Sequence, residues 1–456
     1  MHWYTHGLAT RVSRGDGYYF SRLHRLHQRR YWSLVKEHTH SVNAAVNGLS
    51  ALPGVARPFA AVKAMSRFLN HPDIPLCALI EPAQDAVRLA LQSSTAAVAL
   101  VVHDWCMFAF QTHTSKTDRR QRSHDQDLGY DLGTALVLEA EQGQPLGPLE
   151  FRLRTATGIL STRPGTTAHP PAHLDELADV MQAARRWHLH RPLVHLIDRE
   201  ADSVGHYRAW QAAGHQFVVR ADAERLVLWH GQPTKLPAIA AGLTGQYREA
   251  RDAAGQPVLV TTRQGVGRLR VAEAAVVLHR PAKTMRDGRK VDVPGPPLAL
   301  RLVVTRVVDE LGVVRAEWLL FTNVADQFDA ATVGQWYAWR WRIETYHKLL
   351  KTAGQNAEEW QQESGLAFAR RLVVASLACL TAWQLQRDES PAAVRLRTIL
   401  VRLSGRQMKH RVCSTAPALL AGLEKLLAVV DVLEGHDWEE ILDLAHRLLP
   451  NLFNSA

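Results

Sequence analysis

Cysteine is scarce. The four in this 456-residue chain, Cys77, Cys106, Cys379 and Cys413, are far apart and show no C-x-x-C spacing. Neither a disulfide framework nor a zinc ribbon is indicated, and reduced thiols in a cytosol are the default. Long apolar runs are lacking as well. The N-terminal MHWYTHGLATRVSRGDGYY has no signal-peptide apolar core. The longest apolar run near the C-terminus, Leu372–Trp383, falls short of the ~20 residues that a bilayer-spanning helix needs. There is no internal repeat and no low-complexity tract. Acid is in deficit, with 44 Asp and Glu against 54 Lys and Arg, for a formal charge of +10 and a pI near 9.6. That balance favours a polyanionic partner, nucleic acid ahead of a membrane surface. The hydrophobic fraction of 46% argues against disorder and the length favours two or three units. A soluble, cytoplasmic protein with no membrane partner is expected.

Residues 1–75 read as helical and basic, with seven Lys/Arg against two Asp/Glu in the first forty. Arg22, Arg25, Arg29 and Arg30 interleave with Leu23, Leu26, Tyr31 and Leu34. This pattern suits either a solubilising surface or a DNA-docking domain. Strands are then expected at Ala96–Val102, Tyr130–Glu139, Leu149–Arg154, Pro192–Ile197 and Gln216–Arg220, with helices at Leu174–Trp187 and Ala201–Ala213. The first and fourth strands run into aspartates, Asp104 and Asp198. An acid after an apolar strand is either a turn former or helix cap, or a catalytic group at a strand end. Residues 222–316 interrupt the alternation as a basic, β-rich insertion with a hairpin turn at Asp287-Gly288. Trp318–Phe321 forms one more strand, and residues 365–456 read as helices.

The stretch Trp336–Gln355 reads as one long helix opening on Trp336, Trp339 and Trp341, which are expected to pack it on the core. At about 100° per residue, Tyr337, Arg340, Glu344 and Lys351 fall within an arc of about 60°. A salt-bridged, solvated helix face would look like this. So would a surface that presents a carboxylate for a metal ion beside cations for a phosphate. Three acids, Asp104, Asp198 and Glu344, suffice to hold two Mg²⁺ ions, because Mg²⁺ takes oxygen ligands and keeps several waters. Asp118, Asp125, Asp127 and Asp131 are nearby acids, but none follows an apolar strand.

The spacing Y-x2-R-x3-E-x6-K, filled by Tyr337, Arg340, Glu344 and Lys351, carries a resemblance. So do Asp198-Arg199-Glu200-Ala201-Asp202 with Phe217-Val218-Val219-Arg220, Tyr130-Asp131-Leu132-Gly133, and Trp318-Leu319-Leu320. From about residue 60 to 370 the chain resembles the cut-and-paste DDE transposases of bacterial insertion sequences, specifically the insertion-sequence-four family. It departs from them where Trp105-Cys106, rather than hydroxyl residues, follow Asp104. The resemblance implies an α/β fold with a ribonuclease-H-like catalytic core over 76–370, a β-rich insertion at 222–316, a helical DNA-binding domain at 1–75 and a helical, dimerising domain at 371–456. It implies Asp104, Asp198 and Glu344 as catalytic metal ligands for two Mg²⁺ ions, with Mn²⁺ able to substitute. Tyr337, Arg340 and Lys351 would hold end phosphates, Trp318 would stack on a flipped base, and Arg220, Arg342 and Lys348 would complete the DNA contacts. The implied activity is cutting of double-stranded DNA at inverted-repeat ends, hairpin formation and strand transfer by a homodimer. A nuclease or resolvase on the same fold and a non-catalytic, inhibitory relative are the alternatives.

Overall fold

The computed structural model describes residues 23–40, 58–164, 173–187, 189–252, 254–279, 283–284, 288, 290–291, 295–406, 414–433 and 435–448. Eight long strands organise it: β1 (Ala99–Ala109), β2 (Leu128–Glu139), β3 (Pro145–Arg154), β4 (Leu193–Ile197), β5 (Gln216–Arg220), β6 (Gly265–Leu278), β7 (Leu298–Val308) and β8 (Val314–Thr322). They lie in one 14-stranded sheet in the order β3-β2-β1-β4-β5-β8-β7-β6, with short strands at its margins. The β1–β2 and β2–β3 pairs are antiparallel, while β4 runs parallel to both β1 and β5. The two parallel crossovers carry helices, α4 (Glu176–Arg186) before β4 and α5 (Val204–Ala212) before β5. Such connections need a dozen or more residues, which a helix fills.

Side chains alternate across this sheet. Leu100, Val102, Cys106 and Phe108 of β1, with Val194 and Leu196 of β4, face the largest apolar core. Ala99 and Val101 face a separate cluster on the opposite side, as Ile197 of β4 faces another there. Asp104 and Asp198 have the parity of the first set. The parallel register pairs His103 with Ile197, so the two aspartates follow on adjacent strands at one level.

Against the expectations, β1 does not end at Asp104. It runs on to Ala109, because Trp105–Ala109 pair with Gly129–Gly133 of β2. Asp104 is therefore a mid-strand residue, and only Asp198 sits at a strand end. Residues 222–316, expected as a β-rich insertion, supply strands to the same sheet. Their strands β6 and β7 extend the core sheet edge to edge through β8, which pairs antiparallel with β5 at Leu320–Arg220, Phe321–Val219 and Thr322–Val218. The expected hairpin is present as Lys283–Thr284 paired with Lys290–Val291, while Asp287 lies outside the described residues.

The flanking helices are continuous with the core. In α1 (Arg25–His40), Tyr31 is buried and donates its hydroxyl to the Leu79 carbonyl at 2.8 Å, and His38 meets Gln355 at 2.9 Å. The expected boundary at 370/371 falls inside α8 (Gly365–Arg387), after α6 (Ala330–Trp339) and α7 (Arg342–Lys348). By length and composition α8 could cross a membrane, but 89% of its apolar window is buried within the protein. It is the central core helix, and α2 (Pro58–Leu69), α3 (Glu81–Ser93), α9 (Pro391–Ser404) and α10 (Ala416–Leu433) pack around it.

Candidate active site

The expected helix over Trp336–Gln355 is broken in two places. Arg340 and Trp341 form a turn between α6 and α7, tightened by bonds from the Arg340 N–H to the Tyr337 carbonyl and from the Ile343 N–H to the Arg340 carbonyl. A π-helical turn then spans Leu349–Ala353. Breaks of this kind mark kinks and recur at functional sites. The tryptophans diverge accordingly. Trp336 is buried and Trp339 packs at the core's edge, but Trp341 is 37% exposed, against the expectation that all three pack inward.

Arg340 is the centre of the site. Its guanidinium reaches Asp104 Oδ2 at 3.5 Å, Asp198 Oδ2 at 3.4 Å and Glu344 Oε1 at 3.2 Å, and its side chain is only 3% exposed. Three acids from β1, the end of β4 and α7 thus meet on one buried cation. The Tyr337 hydroxyl donates to Asp198 Oδ1 at 3.1 Å, and Arg220 lies 3.9 Å from the same oxygen. The Asp198 carboxylate also accepts the Arg199 backbone N–H at 2.8 Å.

Three carboxylates against one guanidinium leave an excess of negative charge, and the acids respond unequally. Burial pushes the Asp104 carboxyl up to about 6, with Glu344 and Asp198 adding to the rise and Arg340 and the Trp105 N–H opposing it. Burial likewise raises Glu344 against the pull of Arg340. Burial acts on Asp198 too, but Arg340, the Arg199 N–H, Tyr337 and Arg220 outweigh it and hold this carboxyl below its ordinary value. Asp198 is the acid most firmly ionised, and Asp104 is the one nearest to carrying a proton.

The other sequence candidates divide. Lys351 lies in the π-helical turn and is engaged outside the triad. Its ammonium donates to the Met107 carbonyl at 2.5 Å and pairs with Glu358 at 3.1 Å. Arg342 and Lys348 are exposed on α7. Trp318 is 6% exposed and packs on Tyr337 with ring centroids 5.7 Å apart, so it is a core tryptophan here rather than a surface for a base. The exposed aromatic is Trp341, flanked by the guanidinium carbons of Arg340 at 5.5 Å and Arg263 at 5.7 Å. Sequence reasoning missed Arg263, which sits at the tip of the hairpin formed by Leu259–Thr262 and β6 and whose charge acts on Glu344. No local pattern marks it. The alternative acids have structural work instead. Asp118 accepts from the Tyr130 hydroxyl and the Gly365 N–H, Asp127 pairs with Arg122, and Asp131 pairs with Arg120. Asp202 accepts from Tyr207 and Arg225.

Among the described residues no cluster of His, Cys, Asp or Glu is arranged as a ready metal-ion site. The donor chemistry nonetheless fits Mg²⁺ or Mn²⁺: all donors are carboxylate oxygens, they lie within reach of one point charge, and that charge already stands among them.

Residues 162–380 match the family described as the transposase DDE domain. That segment contains Asp198, Arg220, Tyr337, Arg340, Glu344 and Lys351, while Asp104 lies before it. The match supports a transposase of the DDE type, an enzyme that cuts and transfers nucleic-acid strands. No curated protein matches the chain. Among solved structures, the Drosophila P element transposase strand transfer complex aligns over 93% of this chain and 83% of that one, at 8% identity and a TM-score of 0.22. A score this low carries no argument, and the fold rests on the sheet topology above.

Proposed function

We propose that the chain is a cut-and-paste DDE transposase of the insertion-sequence-four type. It binds its element's inverted-repeat ends as a homodimer, cuts them with Mg²⁺, forms and reopens a hairpin, and transfers the freed end into target DNA. One observation carries the reading: Asp104, Asp198 and Glu344, 240 positions apart from first to last, converge on Arg340. The β3-β2-β1-β4-β5 order, with two antiparallel and two parallel pairings, supports a ribonuclease-H-like core.

Asp104, Asp198 and Glu344 would hold the divalent ions, whose chemistry is to activate a water and stabilise the leaving oxygen. The residues supply the rest. Tyr337 orients Asp198 through its hydroxyl. Arg340 offsets part of the acids' charge in the metal-free state and becomes available to a phosphate once they are otherwise satisfied. Arg220, Arg342, Lys348 and Lys351 give the DNA backbone further positive charge, and exposed Arg25 and Arg29 extend it on α1. Backbone contacts of this type position DNA without reading its sequence.

The test is cleavage of a cognate end by purified protein with Mg²⁺. Glu344→Gln and Asp198→Asn should abolish it, and cutting at the wild-type rate by either variant would sink the proposal. Cutting without joining in a strand-transfer assay would point to a nuclease. A second reading, a non-catalytic DNA-binding relative, is favoured by one observation, the occupation of all three acids by Arg340. It predicts salt-dependent end binding with no nick at any Mg²⁺ or Mn²⁺ concentration.

A further inference from the structure

At the opposite ends of β4 and β5 from the acids there is a cavity of about 370 Å³. Its lining includes Arg185, His190, Arg191, His195 and His215, and no acid. Both guanidiniums are held in place by backbone rather than by carboxylates. Arg185 donates to the Gly214 carbonyl at 2.7 Å, and Arg191 donates to the Ser94 carbonyl at 2.8 Å. Gly214 has φ +72°, and a Cβ there would lie 3.2 Å from Arg185 Nη2, so glycine serves both the turn and the approach of the guanidinium. His195 and His215 are 1% and 4% exposed. His195 Nδ1 is engaged by His103 at 2.9 Å, whereas no hydrogen-bond partner for the His215 ring is found among the described residues.

We propose that this cavity binds a phosphate group. Two full positive charges stand over two buried imidazoles in a space that contributes no counter-ion. The C-terminal end of α4 contributes a partial negative charge of about half a unit, which two guanidiniums outweigh. Burial and the nearby Arg185 charge keep both imidazoles neutral at pH 7, with His215 itself a further cause at His195. A neutral imidazole donates one N–H, and guanidinium forks match phosphate oxygens. The volume lies near the lower bound of ligand pockets, roughly 300 Å³, and admits a phosphate with an attached sugar. The phosphate is supplied either free, as inorganic phosphate or a mononucleotide, or by a DNA backbone.

The experiment uses the full chain in phosphate-free buffer. Inorganic phosphate should raise its Tm saturably, by roughly 1–3 °C at tens of millimolar, and the double variant Arg185→Gln/Arg191→Gln should lose that rise. Side-chain NMR of histidine-labelled wild-type protein should show the His215 resonances moving along the same saturation curve, which does not depend on the variant folding. Anisotropy of a fluorescent DNA duplex separates the sources. A backbone source lowers the variant's log–log salt slope by about 2. A free source leaves the slope unchanged while the Tm response disappears. An equal phosphate response in wild type and variant with unmoved His215 resonances would overturn the proposal, as would no response together with an unchanged slope.

Discussion

At the C-terminal ends of β4 and β5, three carboxylates outnumber the one buried guanidinium that holds them. Five residues back along the same strands, two guanidiniums and three imidazoles share a cavity that no acid lines. Strand rise separates these ends by roughly 17 Å, far beyond the ~4 Å of an ion pair. The sheet therefore keeps two unbalanced charge clusters in one domain without letting them neutralise each other. Each is left short of a partner of the opposite sign, a cation at one end and an anion at the other. Both shortages are met from outside the chain in the functions proposed above.

The comparison breaks most sharply through chemistry. Glu344→Gln or Asp198→Asn should lower Mg²⁺-dependent end cutting by about 10³-fold or more, the cost expected when an oxygen ligand is removed from a metal-assisted site; a gel-based cleavage time course reads it. Arg340→Gln comes next. Removing the one cation that reaches all three partly buried acids should cost about 3–5 kcal/mol in urea unfolding. Millimolar Mg²⁺ should recover more stability in this variant than in the wild type; equal recovery would mean that the acids do not gather divalent ions.

The cation end is sharpened by pH. His195 and His215 are pushed down to about 3 and about 4, chiefly by burial. The unfolded chain binds protons on these rings near 6.5, so between about pH 6.5 and 3 it holds more protons than the native state. Stability is then full above about pH 6.5 and falls as the pH drops through this window. His215→Asn should flatten the acid limb of the stability curve by an amount on the order of 1–2 kcal/mol, measured by urea midpoints at pH 5 and 7. The smallest effect belongs to Arg185→Gln/Arg191→Gln. Neither guanidinium has a carboxylate partner, so phosphate-free stability should change by less than about 1 kcal/mol.

Much of this architecture was legible in the sequence where short-range pattern decides it. Four of the five core strands fall within a few residues of their expected positions because β-branched and aromatic alternation is a local property, and β1 overlaps its own but runs seven residues further. The acids were legible for a related reason: Asp104 and Asp198 follow apolar runs, and Glu344 shares a helix-spaced pattern with Tyr337 and Arg340. What escaped depends on distant pairing. Asp104 falls in mid-strand because Gly129–Gly133 pair with residues beyond it, which no window around Asp104 contains. The turn at Arg340–Trp341 runs through good helix formers, and its visible consequence, an exposed Trp341 beside Arg263, needs a hairpin tip 78 positions earlier. Trp318 and Trp341 are alike as residues, yet packing on Tyr337 buries one and the kink uncovers the other.

The pairing of β8 with β5 has a consequence for measurement within the molecule. Because β6 and β7 are laced to the core through β8, with one register shift at Val307/Val308, the span from Arg220 to the hairpin at Arg263 works as a ruler. Its graduations are residues. Cutting two from each long strand would pull the tip back by ~7 Å and preserve the faces, whereas cutting one would turn every side chain over. The reach of Arg263 toward Glu344 is thus written in strand length.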